Sequence, residues 1–182
     1  MRLHGYDYTQ AGGYFITFHT QGWVHFFGEV RDGEMIVNNL GCIAKQSWLD
    51  LPNHYSGIEL DEFVIMPNHF HSVVFINGSV ETKSKSNPNM MLGAGLSPAP
   101  AKDSGFASRT QYLSKPISLS EIIRAFKSFS SREINKHCNS SGRKIWHRDF
   151  YDRIIRNAEE LDRIRLYICF NPVRFHPNLP DI

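Results

Sequence analysis

A chain of 182 residues, 41% hydrophobic and 13% aromatic, has the length and composition of one globular domain, or of one domain carrying an insertion. The net charge of +2 hides an asymmetry, with three Lys/Arg against nine Asp/Glu in residues 1–82 and seventeen against nine in residues 83–182, so the second half suits a polyanionic partner. Met1 to Gln10 lacks the apolar core of a signal peptide and no apolar run approaches the roughly 20 residues of a membrane span, which excludes membrane readings and leaves a soluble, cytoplasmic protein as the expectation.

Residues 12–20, "GGYFITFHT", are β-branched and aromatic and predict a strand. Asp32-Gly33 between two alternating segments predicts a β-hairpin. Asn38 or Asn39 then caps a helix over residues 38–55, with Leu40, Ile43 and Ala44 at helical spacing and Pro52 as its stop. Residues 58–66 and 70–76 read as strands flanking Pro67-Asn68, a tight connection or a bulge.

From about residue 77 to 117 the composition turns to Ser, Lys, Asn, Pro, Gly and Ala with no apolar period, which predicts a flexible surface insertion. Ser118 caps a helix whose buried stripe is Leu119, Ile122, Ile123, Phe126, Phe129 and Ile134 and whose outer face is basic. "KIWHRDFYDRIIRN" reads as a loop followed by a strand. The last helix starts at Asn157, with Glu160 placed as in a capping box and Leu161, Ile164 and Ile168 as its stripe, and runs to Asn171 before Pro172. This order predicts an α+β fold of ferredoxin-like type, an antiparallel sheet with helices packed on one face, plus the hairpin and the insertion. The cysteines, Cys42, Cys138 and Cys169, are far apart and not in CxxC pairs, and are expected to be buried free thiols.

In "PNHFHSVV" the side chains of His69 and His71 share one face of a strand while Phe70 points the other way. Two adjacent imidazoles form half of a divalent-metal site, or else a hydrogen-bonded pair at the sheet surface. The final helix offers Tyr167 and Asn171 four residues apart, neighbours on one helical face.

"GYDYTQAGGYFITF", "VIMPNHFH", "RAFKS", "WHRDFYDRIIRN" and "YICFNPVR" together resemble, in the same order, the REP-associated tyrosine transposases and the single-tyrosine insertion-sequence transposases of the HUH class. The resemblance runs from about Gly5 to Arg174, without the insertion. It implies a ferredoxin-like nuclease that cuts single-stranded DNA beside imperfect hairpins, with His69 and His71 as metal ligands and Tyr167 as nucleophile. Asn171 stands at the third ligand position, where other members carry Gln. Relatives of this kind include dimers with shared active sites, so monomer and homodimer both stay open.

The chemistry of such a set follows from the charge of the substrate. Mg²⁺ or Mn²⁺ on His69, His71 and Asn171 would polarise a non-bridging phosphate oxygen. Attack by Tyr167 would leave a 5′-phosphotyrosine and a free 3′-OH. Tyr151, flanked by arginines, is the rival nucleophile, whereas Tyr6 and Tyr8 are expected to stack or pack. Arg124, Lys127, Arg132, Lys144, Arg148, Arg153 and Arg156 are candidates for DNA-backbone contact, Lys127 and Arg148 foremost, and Trp146, His147 and Phe150 for stacking on unpaired bases. Two other readings are a relative that binds structured DNA or RNA without cutting, and a small metal hydrolase in which Asp61 or Glu62 activates water.

Overall fold

The computed structural model describes residues 6–83 and 117–175. β-branched and aromatic residues carry the chain through β1 (Gly12–His19). A hairpin follows, β2 (Gly28–Arg31) and β3 (Glu34–Val37), whose turn residues Asp32 and Gly33 have φ of 54° and 77°. Two successive left-handed residues give a turn whose twist matches that of paired strands, which is why Asp-Gly announces it. Asn38 caps α1 (Asn39–Leu49), its Oδ1 accepting from the backbone N–H of Leu40 and Gly41 at 2.9 and 3.0 Å. The single helix expected to residue 55 is two, because α2 (Leu51–His54) restarts with Pro52 in its first turn, where a missing N–H is tolerated.

β4 (Tyr55–Ile65) and β5 (His69–Thr82) form a long antiparallel pair, closed by a tight turn in which Met66 N donates to the carbonyl of His69 at 2.8 Å. β5 runs past residue 77, the expected start of the insertion: Glu81 and Thr82 pair with Ser56 and Tyr55, so ladder bonds override a polar local composition. The remainder of that expected insertion, 84–116, lies outside the described residues. α3 (Leu119–His137), β6 (Tyr151–Ile155), α4 (Ala158–Cys169) and α5 (Asn171–Arg174) complete the described fold.

The main sheet has the order β4-β5-β1-β6 with every neighbour antiparallel, and β2-β3 stands apart from it. Without the hairpin this is the β-α-β-β-α-β ferredoxin-like arrangement expected from the sequence. The helices, however, divide between the two faces. Tyr14, Ile16 and Phe18 of β1 and Phe70, Val74 and Ile76 of β5 pack under α1 and α3, around Trp48, Ile122 and Phe126. Phe15 and Val73, of opposite parity, pack under Ile164 and Ile168 of α4. β1 and β5 are apolar in both parities, so a cover on one face alone would leave Phe15 and Val73 in water. In α3, Phe129 is only half-buried, and Ser130 takes the core position instead, accepting from Trp146 Nε1 at 2.8 Å.

One long-range pair fixes α4 on its face. The register of β4 shifts between Leu60 and Phe63, a bulge that turns Asp61 toward the helix. There its two oxygens accept from Arg165 Nε and Nη2 at 2.8 and 2.5 Å. This bidentate bond holds the Asp61 carboxyl below the usual carboxylate range, with burial opposing. It also engages the carboxylate that a water-activating role would need.

Two predictions follow from these contacts. Helix propensity alone favours Gly41→Ala by about 1 kcal/mol, but a Cβ there would lie 2.5 Å from the Phe27 carbonyl oxygen and 2.6 Å from Val37 Cγ1. The variant should therefore unfold at lower urea than wild type, and a raised midpoint would show that the contact between α1 and the hairpin loosens freely. Asp61→Asn should cost about 1 kcal/mol, discounted because the Arg165 side chain is 40% exposed. Since the folded carboxyl titrates below its unfolded value of 3.8, the contribution is complete above that value and disappears as pH falls through the folded one. Wild type should thus converge on the variant in urea melts as pH is lowered from about 5 toward 2; a gap that stays constant would rule out this pair as the source.

Candidate active site

The period of β5 puts His69 and His71 on the α4 face, both almost wholly buried at 1% and 2% exposure. Each ring is held from behind. Asn68 Oδ1 lies 2.8 Å from His69 Nδ1, and Thr17 Oγ1, on the β1 residue paired with His71, lies 2.7 Å from His71 Nδ1. Phe15 stacks beside His71 with centroids 5.6 Å apart. These contacts turn both Nε2 atoms toward α4 and α5, where His69 Nε2 lies 3.1 Å from Asn171 Oδ1 and His71 Nε2 lies 3.4 Å from the Tyr167 hydroxyl. The structure thus brings together His69, His71, Tyr167 and Asn171 from three elements.

Tyr167 and Asn171 do not share one continuous helix as the spacing suggests. α4 ends at Cys169, Phe170 intervenes, and Asn171 opens α5. Pro172 lacks the N–H that would continue the ladder, so the chain restarts. At the other end of α4, Asn157 is the cap, its Oδ1 accepting from Glu160 N at 2.8 Å. Glu160 does not return the bond to Asn157: its carboxylate accepts from Arg156 N at 2.9 Å and pairs with Arg153 at 2.6 Å, contacts that hold it below the usual carboxylate range, the backbone bond first.

The donor set suits a divalent cation. His69 meets an amide oxygen at each ring nitrogen, Asn68 at one and Asn171 at the other. A neutral imidazole carries one N–H and can serve only one of them. With Nδ1–H donated to Asn68, the lone pair on Nε2 and the oxygen of Asn171 converge, an arrangement that a cation relieves. Two imidazoles and an amide oxygen fit Mn²⁺ chemistry and admit Mg²⁺. Among the described residues no cluster of three His, Cys, Asp or Glu offers a competing site.

His71 and Tyr167 open onto a cleft walled by Phe15, Thr17, Tyr151, Arg153, Glu160 and Arg163. Tyr151, paired with Thr17, shares this cleft, but the phenol that meets His71 is that of Tyr167. Tyr6 packs edge-on against Tyr8 and Tyr14, which are tilted against each other, in a cluster away from it with ring centroids 5.0 to 6.5 Å apart. Burial in that cluster pushes the Tyr14 phenol well above its ordinary value.

The basic candidates separate into regions. Arg153 stands in the cleft, while Arg132, Lys144 and Arg148 line a groove between α3 and residues 140–148, together with Lys136 and Arg143. Arg124 lies in another depression beside Tyr55 and Thr82, and Arg156 is exposed just before α4. Lys127 borders the groove, yet its ammonium donates to the carbonyls of His147, Arg148 and Asp149 at 2.9, 3.3 and 2.9 Å and lies over the rings of Phe18 and Phe150. Burial pushes Lys127 down to about 8, with Asp149 opposing. Its three donors pin a loop, which leaves Arg148 as the stronger candidate for phosphate.

Other expectations change as well. Trp146 is buried and Phe150 lies beneath Lys127, so of the three stacking candidates His147 alone joins an open ring stack, on His19. The cysteines are free but exposed. The roles of Thr17 and Asn68 behind the histidines and of Arg165 at Asp61 have no signal in the sequence, since no motif marks a threonine on a neighbouring strand, a turn asparagine that holds a ring or an arginine that reaches a bulge.

In comparison with solved structures, a REP-associated tyrosine transposase bound to a REP hairpin shares the fold, with a TM-score of 0.51 and 16% identity over 96% of this chain and 74% of that one. No helix among the described residues is long and apolar enough to cross a membrane. No family model matches the sequence. A Haemophilus influenzae protein, described only as uncharacterized, is 33% identical over 175 residues, 95% of this chain and 87% of its own length. With that identity over nearly its whole length, the chain belongs to the same family as the Haemophilus protein.

Proposed function

We propose that this protein is a metal-dependent single-strand DNA endonuclease and strand transferase, a transposase of the single-tyrosine HUH class that acts at DNA hairpins. The observation that carries the reading is the approach of the Tyr167 hydroxyl to His71 Nε2 at 3.4 Å while His69 Nε2 faces Asn171 Oδ1 at 3.1 Å. His69, His71 and Asn171 would hold Mg²⁺ or Mn²⁺, which supplies Lewis-acid polarisation of a non-bridging phosphate oxygen.

The remaining steps belong to the protein. Arg163, and Arg153 held in place by Glu160, put guanidinium N–H donors along the cleft that leads to Tyr167. The Tyr167 oxygen attacks phosphorus, the bond from phosphorus to O3′ breaks, the phenolic proton passes to water and O3′ is protonated as it leaves. The product is a 5′-phosphotyrosine and a free 3′-OH. Attack by a 3′-OH reverses the sequence, restoring the phosphodiester and releasing Tyr167, so joining needs no nucleotide cofactor. The shared fold of a transposase bound to a REP hairpin supports hairpin DNA as the substrate class.

Incubation with single-stranded hairpin DNA and Mn²⁺ should give a covalent protein–DNA adduct that is lost in Tyr167→Phe; the same adduct from both proteins would refute the assignment. His71→Ala, or chelation by EDTA, should slow adduct formation on the order of 100-fold or more. Hairpin binding that persists in EDTA with no adduct under any condition would instead identify a binding protein. Arg148→Ala should lower the salt slope of DNA affinity by about one, with stability unchanged. Lys127→Met should do the opposite, costing about 1–3 kcal/mol in urea and leaving the slope alone; a reversed pattern would return the phosphate contact to Lys127.

A further inference from the structure

A three-ring stack stands beside the histidine pair. His19 is the β1 residue paired with His69 and shares its face of the sheet. Trp23 lies against the His19 ring with centroids 4.1 Å apart and planes 4° apart, and His147 with centroids 4.4 Å apart and planes at 22°. Two near-parallel rings cannot occupy one face of His19 at those separations, so the imidazole is sandwiched and Trp23 ends the stack.

The end ring is held rigidly. Trp23 adopts φ 58°, a left-handed conformation that bulky residues rarely take, directly after Gly22 at φ 66°. The turn that imposes it is anchored by Thr20, whose hydroxyl meets the carbonyls of Val24 and Asn68 at 2.8 and 3.1 Å and whose N–H donates to Asn68 at 2.8 Å. Asn68 is also the residue that holds His69 Nδ1. The same short segment thus orients His69, a proposed metal ligand, and a tryptophan that is 41% exposed, whereas Trp48 and Trp146 are 0% and 7% exposed. The other end of the stack, His147, belongs to the lining of the basic groove together with Arg148 and Lys144.

We propose that the outer face of Trp23 is a stacking platform for an unpaired nucleobase of the DNA strand that enters the site, an inference that rests on the single-strand DNA reading above. A flat indole with one face covered by an imidazole offers the other to any base, since every base has a π face. The basic groove that continues from His147 matches a phosphate backbone, and neither a neutral sugar nor an apolar peptide would require it. Holding one base here orders the strand beside His69, so Trp23 is a positioning residue.

The buried Trp48 and Trp146 leave Trp23 as the indole that reports contact, and quenching of intrinsic fluorescence by an oligothymidylate tests it. Wild type should be quenched. Trp23→Ala should lose that quenching and bind the oligothymidylate about 5- to 150-fold more weakly, Trp23→Phe should retain most of the affinity, and blunt duplex DNA should bind all three proteins alike. Undiminished affinity of Trp23→Ala for the oligothymidylate overturns the platform, as does an equal loss on duplex, which would mark a general structural defect. Wild type that binds no unpaired DNA by any readout overturns the single-strand reading and the platform with it, while a Tyr167 adduct from wild type alongside unaltered Trp23→Ala binding overturns the platform alone.

Discussion

A strand buried on both faces must assign every residue to a side, and the site depends on how β5 does so. Phe70 meets Phe18 and Trp48 at centroid distances of 4.9 and 5.0 Å in the larger core. Removing such a ring from a packed core typically costs about 3–5 kcal/mol. A slip of one residue would exchange the faces, driving His69 and His71 into that aromatic core and Phe70 into the polar site. The core therefore enforces the register on which the histidine pair relies, and the energy that positions the imidazoles comes from a side chain that never touches them.

Orientation is a separate problem from placement. Thr17 and Asn68 fix the ring planes through Nδ1 and so aim both Nε2 atoms at α4 and α5, a division of labour common at metal sites, where a partner behind the ring fixes its tautomer. The helix side is fixed by the Asp61–Arg165 bond two residues before Tyr167 and by the break at Phe170 before Asn171. The bulge in β4, the break in the helix and the strained turn at Trp23 are local departures from regular structure. The bulge turns Asp61 to Arg165, the break sets Asn171 against His69 and the turn lays Trp23 on His19, and the regular elements around them, above all the two-sided core of β5, are what sustain these departures.

The parts of this arrangement with short-range causes were legible in the sequence. Period two in His-Phe-His placed both imidazoles on one face, Asp32-Gly33 announced its turn, and Asn38 and Asn157 marked helix starts because a side-chain oxygen two or three residues from an orphan N–H acts locally. The nearness of Tyr167 and Asn171 was readable as a four-residue interval, although Pro172 breaks the helix there. What spacing does not encode is which face a helix covers: the Ile164–Ile168 stripe says that α4 is buried, and only the double-sided apolar character of β1 and β5 says where. Lys127 shows the same limit from the charged side. Its sequence surroundings suggest an exposed lysine, whereas three backbone carbonyls about twenty residues away determine what it does.

The uneven charge of the chain gains meaning from this geometry. Two acidic groups near the site are neutralised in place, Asp61 by Arg165 and Glu160, which lines the cleft, by Arg153 and the Arg156 backbone, so neither opposes an anion within the cleft. Basic residues from the second half form the groove between α3 and residues 140–148, on the far side of the Trp23–His19–His147 stack from the first-half turn that carries Trp23. Residues 1–82 supply His69, His71, Thr17 and the stacked Trp23; the later residues supply Tyr167, Asn171 and most of the positive charge. The β1–β5 and β1–β6 pairings join the strands that carry the histidines and Arg153, while α4 and α5 meet the first half directly, Tyr167 at His71, Asn171 at His69 and Arg165 at Asp61, so a change in either half of the site reaches the other without an intermediary.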